Sequence, residues 1–354
     1  MFNLKFLRKP PEMFGLDIGS STIKVVQITP SNGGYTLSAL GVVPLPVDAI
    51  SDGAIKDAAT VSAAIKEAVT TAGLKGHDAA ISICGRELII KKIQMPEVPP
   101  RELQDAILLE AEHHIPFAVD EVYIDYYVVG VNDGNLDLIL VAVKKSKVQE
   151  YVGVVEDAGF NPIVVDVDTF ALGNQFELNV SESSDEAVAL IDIGAAVMKT
   201  NVVRNGATIF ARDIPFGGNQ YTQAIAQRLS IPFDQAEAAK LGKDPSVEWD
   251  ALVPAIEDVS HELSLEVQRT FDFFASTTES ERIGKIILAG GSAQVAGLTE
   301  YLSSNWGIPV ELARPFERIS VDDTLAEAVA ASGPALAVAV GLGLRRSGDK
   351  GKKQ

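Results

Sequence analysis

The 354-residue chain is short of several things at once, and each shortage narrows what it does. Cys84 is its only cysteine, so an internal disulfide is excluded and a reducing compartment suits it. Its four histidines offer no metal-binding spacing: His113 and His114 are neighbours that point apart on a helix, and His77 and His261 lack nearby partners. Basic residues are outnumbered, 30 Lys and Arg against 48 Asp and Glu, and the resulting charge of -18 repels nucleic acid and anionic membrane. Two small basic clusters stand out, Lys5, Arg8 and Lys9 at the start and Arg345, Arg346, Lys350, Lys352 and Lys353 at the end. The second lacks apolar spacing and reads as a flexible basic tail over 346–354 rather than a membrane-binding helix. Uninterrupted apolar runs are also missing: none reaches the roughly 18 to 20 residues of a membrane span. Pro10, Pro11, Glu12 and Asp17 break up the beginning, so a signal peptide is not expected and the cytoplasm is the default.

What remains is an apolar, globular composition, 47% apolar and 22% charged, long enough for two or three domains. One pattern organises it. An apolar run from Phe14 is broken at Asp17-Ile18-Gly19-Ser20-Ser21-Thr22 and resumes after Ile23, with Lys24 seven residues beyond Asp17. The same pattern returns at Asp192-Ile193-Gly194-Ala195-Ala196, with Lys199 seven residues beyond Asp192. Each copy reads as a buried strand, a tight turn and a return strand. A third glycine turn, Gly290-Gly291-Ser292, follows the largely apolar strand Ile283 to Leu288, with a helix from Val295 to Ser303 behind it. Strand, glycine turn and helix in that order bring backbone N–H groups next to a ligand.

Between these turns the chain reads as alternating strands and helices. Strands are expected over Ile23 to Thr29 and Tyr35 to Val43, then a helix from Asp57 to Ala72 stopped by Gly73. The portion 78–145 has a different rhythm: strands at Ala79 to Ile83 and Leu88 to Gln94, a helix ended by Pro116, then a hairpin of Val122 to Val129 and Leu136 to Val143. This β-β-α-β-β order reads as an insert between first-domain parts at 13–77 and 146–185. Ile163 to Val167 is read as a buried strand and Ser181 to Glu186 as the linker to a second domain, 186–345. Later elements are a long helix from about Pro254 to Phe274 and a closing apolar helix from Pro334 to Leu344, packed in the core.

The chemistry these turns suit is polyphosphate binding. The N–H groups of Gly19 to Thr22 form an anion-binding concavity, the hydroxyls of Ser20, Ser21 and Thr22 add donors, and Lys24 supplies charge. Asp17 and Asp192 repel phosphate and instead suit Mg²⁺, held through its waters by one or two carboxylates. Asp168 follows the Ile163 to Val167 strand, where it either caps the next helix or positions a water for hydrolysis; capping is the favoured reading.

The three turns resemble the two phosphate motifs and the adenosine motif of the actin and sugar-kinase superfamily. Gly217-Gly218-Asn219 with Thr222 resembles the Gly-Gly turn that follows the second phosphate motif, and Ala236-Glu237-Ala238-Ala239-Lys240 resembles the helix that brings Glu237 and Lys240 beside the nucleoside. The insert is typical of the FtsA branch. Glu110-Ala111-Glu112-His113-His114-Ile115-Pro116-Phe117 is similar to a signature of the PilM family of actin-like type IV pilus assembly proteins, and Gly333-Pro334-Ala335 through Gly343 matches that family's closing helix.

The resemblance implies an α/β fold of duplicated actin-like, ribonuclease-H-like domains with a small insert in the first. It implies ATP and Mg²⁺ as cofactors, bound by Asp17, Gly19, Ser20, Ser21, Thr22, Lys24, Asp192, Gly194, Gly217, Gly218, Glu237, Lys240, Gly290, Gly291 and Ser292. It also implies a cytoplasmic platform protein, peripheral on the inner membrane of a type IV pilus or a related type II secretion-like system. There it is recruited by the cytoplasmic N-terminal peptide of a PilN-like bitopic protein, in a groove between the first domain and the insert. Other platform proteins, motor ATPases and self-association are further expected partners; nucleic acid and direct transmembrane anchoring are not. One departure bears on activity: Ala195 and Ala196 stand where superfamily members often carry Gly, Ser or Thr, so at most slow ATP hydrolysis is expected, with Asp168 the one catalytic candidate. A sugar-kinase-type phosphotransferase is disfavoured because the insert is small and no base is evident. An FtsA-like cell-division protein is disfavoured because no membrane-anchoring helix is visible at the end of the chain.

Overall fold

The computed structural model describes residues 13–349 apart from 32, 52, 180–185 and 279–280. Its first half opens with β1 (Phe14–Ile18), β2 (Thr22–Ser31) and β3 (Gly34–Pro44), a small hairpin of β4 (Ile50–Ser51) and β5 (Ala54–Ile55), α1 (Ala58–Thr71) and β6 (Asp78–Ile83). The start of α1 is set by Asp57, whose carboxylate accepts the Thr60 N–H at 3.0 Å, and Gly73 ends it at φ +66°. Next come β7 (Leu88–Pro96), α2 (Leu103–His114), β8 (Val122–Asn132), β9 (Asn135–Lys144), α3 (Lys145–Asp157), β10 (Asn161–Val167) and α4 (Asp168–Asn179). The second half holds β11 (Ala187–Ile193), β12 (Met198–Arg204), β13 (Ala207–Ile214), α5 (Gly218–Leu229), α6 (Phe233–Lys240), α7 (Trp249–Thr277), β14 (Ile283–Ala289), α8 (Leu298–Trp306) and β15 (Val310–Leu312). β16 (Ile319–Val321), α9 (Asp323–Ser332) and α10 (Ala337–Gly343) complete it.

Two sheets carry the same plan. The first runs β10-β6-β1-β2-β3-β16 and the second β15-β14-β11-β12-β13. In each, the strand that bears Asp-Ile-Gly pairs antiparallel with the strand after its turn and parallel with a later strand, β6 or β14. The duplication legible in two short motifs is therefore a duplication of whole sheets. Each half has its own apolar core, one around Phe14, Ile65, Ile81 and Tyr151, the other around Ile191, Tyr221, Leu263 and Leu302.

Several expectations change. β6 lies between β1 and β10 in the first sheet, so the insert is β-α-β-β, a three-stranded sheet β7-β9-β8 backed by α2 around Ile107 and Leu138. The apolar run of β6 is what a parallel strand covered on both faces needs, which is why it does not belong to the insert. β10 is an edge strand rather than a buried one; Ile163 and Val165 are 41% and 40% exposed because the alternate face has no layer over it. α7 begins at Trp249, not Pro254, and keeps Pro254 inside its second turn. The linker expected at 181–186 lies, but for Glu186, outside the described residues.

The boundary of the second domain also moves. β16 adds to the first sheet, parallel to β3, and α10 packs against β1, β2 and α4, so the chain returns to its first half. The closing segment is a 3-10 turn, Gly333–Leu336, followed by α10. Small residues decide where it sits: a Cβ at Gly341 would overlap the Ala171 carbonyl, and one at Gly15 would overlap the α10 backbone at Ala339 and Gly343. By length and composition the stretch Asp323–Gly343 could cross a membrane, yet α10 is buried throughout in this fold.

Candidate functional site

The spacing of seven between aspartate and lysine is explained by hairpin register. Asp17 on β1 lies directly opposite Lys24 on β2, and Asp192 on β11 opposite Lys199 on β12. Each lysine reaches across the ladder to its aspartate, Nζ to Oδ2, at 2.8 Å in the first half and 2.9 Å in the second. Both turns close alike, Gly19 N–H to the Thr22 carbonyl at 3.2 Å and Gly194 N–H to the Val197 carbonyl at 3.1 Å. Lys24 is thus the ion partner of Asp17 in this structure, rather than a free point charge.

Lys199 does more than its twin. It also pairs with the Asp168 carboxylate at 3.0 Å, from the first position of α4, so a buried ammonium joins the two halves. Burial works against charge on Asp168, but Lys199, with Ser82 and Cys84 beside it, holds its carboxyl below the usual range. Burial pushes the Asp17 carboxyl up, against the pull of Lys24. The Cys84 thiol is pushed well up by burial and then by Asp168, which makes it an unreactive neighbour.

Asp213, which sequence reasoning missed, completes the row. It sits on β13 opposite Lys199, so aspartate, lysine and aspartate line three adjacent strands. Its carboxylate accepts the Gly85 N–H at 2.6 Å, from the connection between β6 and the insert, and burial lifts it to about 6. Only its position opposite a lysine two strands from Asp-Ile-Gly could have revealed it, and that requires the register of β13.

The other expected residues gather around the second turn. The Gly194 carbonyl accepts the Gly218 N–H at 2.9 Å and the Ser292 hydroxyl at 3.2 Å, and the Ala195 carbonyl accepts the Asn219 N–H at 2.8 Å. A Cβ at Gly217 would strike those same carbonyls, and one at Gly290, φ +90°, would strike Ile193 and the Asp192 carboxylate. Gly217, Gly218, Gly290 and Ser292 therefore let three chain segments meet, and Ser292 points inward to hold Gly194. Gly291 stays exposed. Lys240 lies behind Gly218, bonded to its carbonyl at 3.2 Å, to Thr222 Oγ1 at 2.9 Å and to Glu237 at 2.6 Å, while the Thr222 hydroxyl also donates to Glu237. Burial pulls the Lys240 ammonium below its usual range despite Glu237. In the first turn Ser20 and Thr22 are half-buried and Ser21 is exposed.

Charge decides what such a site accepts. Among the described residues, the cations paired within the cluster of Asp17, Asp168, Asp192 and Asp213 are Lys24 and Lys199, which leaves an excess of two negative charges there when all four are ionised. A divalent cation cancels that excess. Among the described residues no three Asp, Glu, His or Cys side chains close on a single point, so an ion there would be held mainly by water and ligand oxygens, the habit of Mg²⁺.

The family model for type IV pilus assembly protein PilM matches residues 15–347. Cell division protein FtsA of Pseudomonas aeruginosa is 23% identical, over 95% of this chain and 90% of its own, and FtsA of Escherichia coli is 22% identical over 93% and 88%. Among solved structures, a PilM-PilN type IV pilus biogenesis complex superposes with a TM-score of 0.84 at 28% identity, covering 94% of this chain and 98% of the other. MreB 5 of Spiroplasma citri bound to AMPPNP gives 0.54 at 10% identity, covering 94% and 95%, which is a likeness of actin-like fold alone. A match to the family model over nearly the whole length, on a duplicated actin-like fold with an insert in its first half, places this chain in the PilM family of type IV pilus assembly proteins.

Proposed function

We propose that the protein is an ATP-binding scaffold of the pilus inner-membrane platform, which holds Mg-ATP between its two Asp-Ile-Gly turns to set the relation of its halves. The observation that carries this is the pair of matched Asp–Lys hairpins, joined across the halves by Lys199 and Asp168. In this reading Gly19, Ser20, Ser21 and Thr22 hold phosphate oxygens, Gly194 and its neighbours hold the other side, and Gly291 with Glu237 flanks the nucleoside. Asp17 and Asp192 would hold Mg²⁺ through water, and the ion would offset the repulsion between a polyphosphate and the acidic cluster. Asp168 orients the halves through Lys199, and the absence of hydroxyls at Ala195 and Ala196 supports slow or incidental turnover.

Recruitment to the membrane by the N-terminal peptide of a PilN-like protein, which leaves the protein peripheral on the cytoplasmic side, is supported by family membership and by the likeness to a PilM bound to PilN. Calorimetric titration of ATP with and without Mg²⁺ tests the nucleotide reading. Asp17→Asn with Asp192→Asn, chosen because alanine would leave Lys24 and Lys199 with no side-chain oxygen opposite them whereas asparagine keeps a neutral one, should weaken Mg-ATP at least tenfold with circular dichroism unchanged. Undiminished affinity would sink the reading. A PilN-like N-terminal peptide should raise the melting temperature of the wild type, and no shift at high micromolar peptide counts against recruitment.

A further inference from the structure

Between the insert and the second half lies a cleft of about 340 Å³. One wall is the start of β7 with Leu88 and Ile90; the other is the end of β13 with Ile214, and Val197 of the second turn joins its floor. β7 and β13 are each the last strand of their own sheet, and they pack beside one another without a hydrogen-bonded ladder between them, so the cleft opens over their seam. An apolar cleft that runs over such a seam accepts an extended segment through its side chains, with room for alternate apolar residues. The sign of charge at the rim identifies which kind. Arg86 and Arg212 line the cleft and are exposed, and among the described residues neither is in an ion pair. The one carboxylate in the lining, Asp213, is turned to the Gly85 N–H. Arg212 is held in place by Phe273, its guanidinium 5.6 Å from the ring centre, and Phe273 in turn packs beside Phe210. On a chain of net charge -18, two unpaired guanidiniums flanking apolar walls reverse the local sign.

We propose that this cleft docks an acidic, extended segment of a partner protein, whose alternate apolar side chains enter between Leu88 and Ile214 while its carboxylates pair with Arg86 and Arg212. The site is separate from the groove between first domain and insert invoked for the PilN-like peptide, because one of its walls comes from the second half. It does not require that reading to hold.

The test is fluorescence anisotropy on the full chain with a labelled peptide of alternating glutamate and leucine, beside a control with lysine for glutamate. Binding of the acidic peptide only is expected, weakened at least tenfold by Arg86→Glu with Arg212→Glu and several-fold by raising salt from about 0.05 to 0.3 M. Both arginines are exposed, so the double variant should fold; Arg86→Gln alone, expected to weaken binding about threefold, serves if circular dichroism shows otherwise. Equal binding of both peptides, no binding, or affinity indifferent to the arginines overturns the proposal. So does a dimer in light scattering that the double variant abolishes, since the occupant would then be a second copy of the chain. Mg-ATP affinity measured on the same variant should be unchanged, which separates failure here from failure of the nucleotide reading.

Discussion

Asp213→Asn isolates the energetics of the buried acidic row. Burial raises the Asp213 carboxyl to about 6 from 3.8, so the native state holds this proton more tightly than the unfolded chain does. For an acid shifted upward, stability is fullest below the unfolded value and falls as pH rises towards the folded one. By neutral pH the ionised carboxylate therefore costs up to about 3 kcal/mol. Asparagine keeps an oxygen to accept the Gly85 N–H and removes the charge. At pH 8 the variant should be more stable by about 1–3 kcal/mol, or ~1–4 °C in melting temperature for a chain of this length. Near pH 4 the gain should vanish, because wild-type Asp213 is then neutral in the folded state. Differential scanning calorimetry of both proteins from pH 4 to 8 is the assay. A variant less stable at pH 8, or a gain that does not change with pH, would refute the reasoning and make Asp213 a net favourable partner of Lys199.

Three other perturbations probe the same framework. Lys199→Met leaves Asp168 and Asp192 buried without their cation, and should destabilise by about 3–5 kcal/mol at pH 7.5 in urea unfolding, with a smaller penalty at pH 5 as the carboxyls take up protons. Gly341→Ala drives a methyl group into the Ala171 carbonyl, so α10 must lift from α4; a loss of about 1–3 kcal/mol or more is expected, together with faster hydrogen exchange in both helices. Gly290→Ala combines a positive φ with overlap at Ile193 and Asp192, and should lower both melting temperature and Mg-ATP affinity, whereas Gly291→Ala, with open space around its Cα, should leave the melting temperature unchanged.

Much of the site was legible because it is local. Asp17, Gly19 and Lys24, like Asp192, Gly194 and Lys199, lie within one hairpin each, and a tight turn fixes which residues face each other. The glycines at 217, 218 and 290 were also visible, though their first use is to let backbone meet backbone, which residue type alone does not distinguish from room for a ligand. Asp213 was not legible, because its role comes from a third strand whose register with β12 contains a bulge.

The sequence by itself determined the duplication, the α/β class, the placement of most helices and strands, and the family, since these rest on apolar period, turn residues and short motifs. Only the tertiary structure decided that β6 belongs to the first sheet, that β16 and α10 return to the first half, and that Lys199 ties Asp168 to Asp192 across the halves. The physical reason is range. A strand's pattern reports that it is covered on both faces but not by which neighbours, and a buried lysine's partners are set by whichever carboxylates the packing of distant elements brings within reach of it.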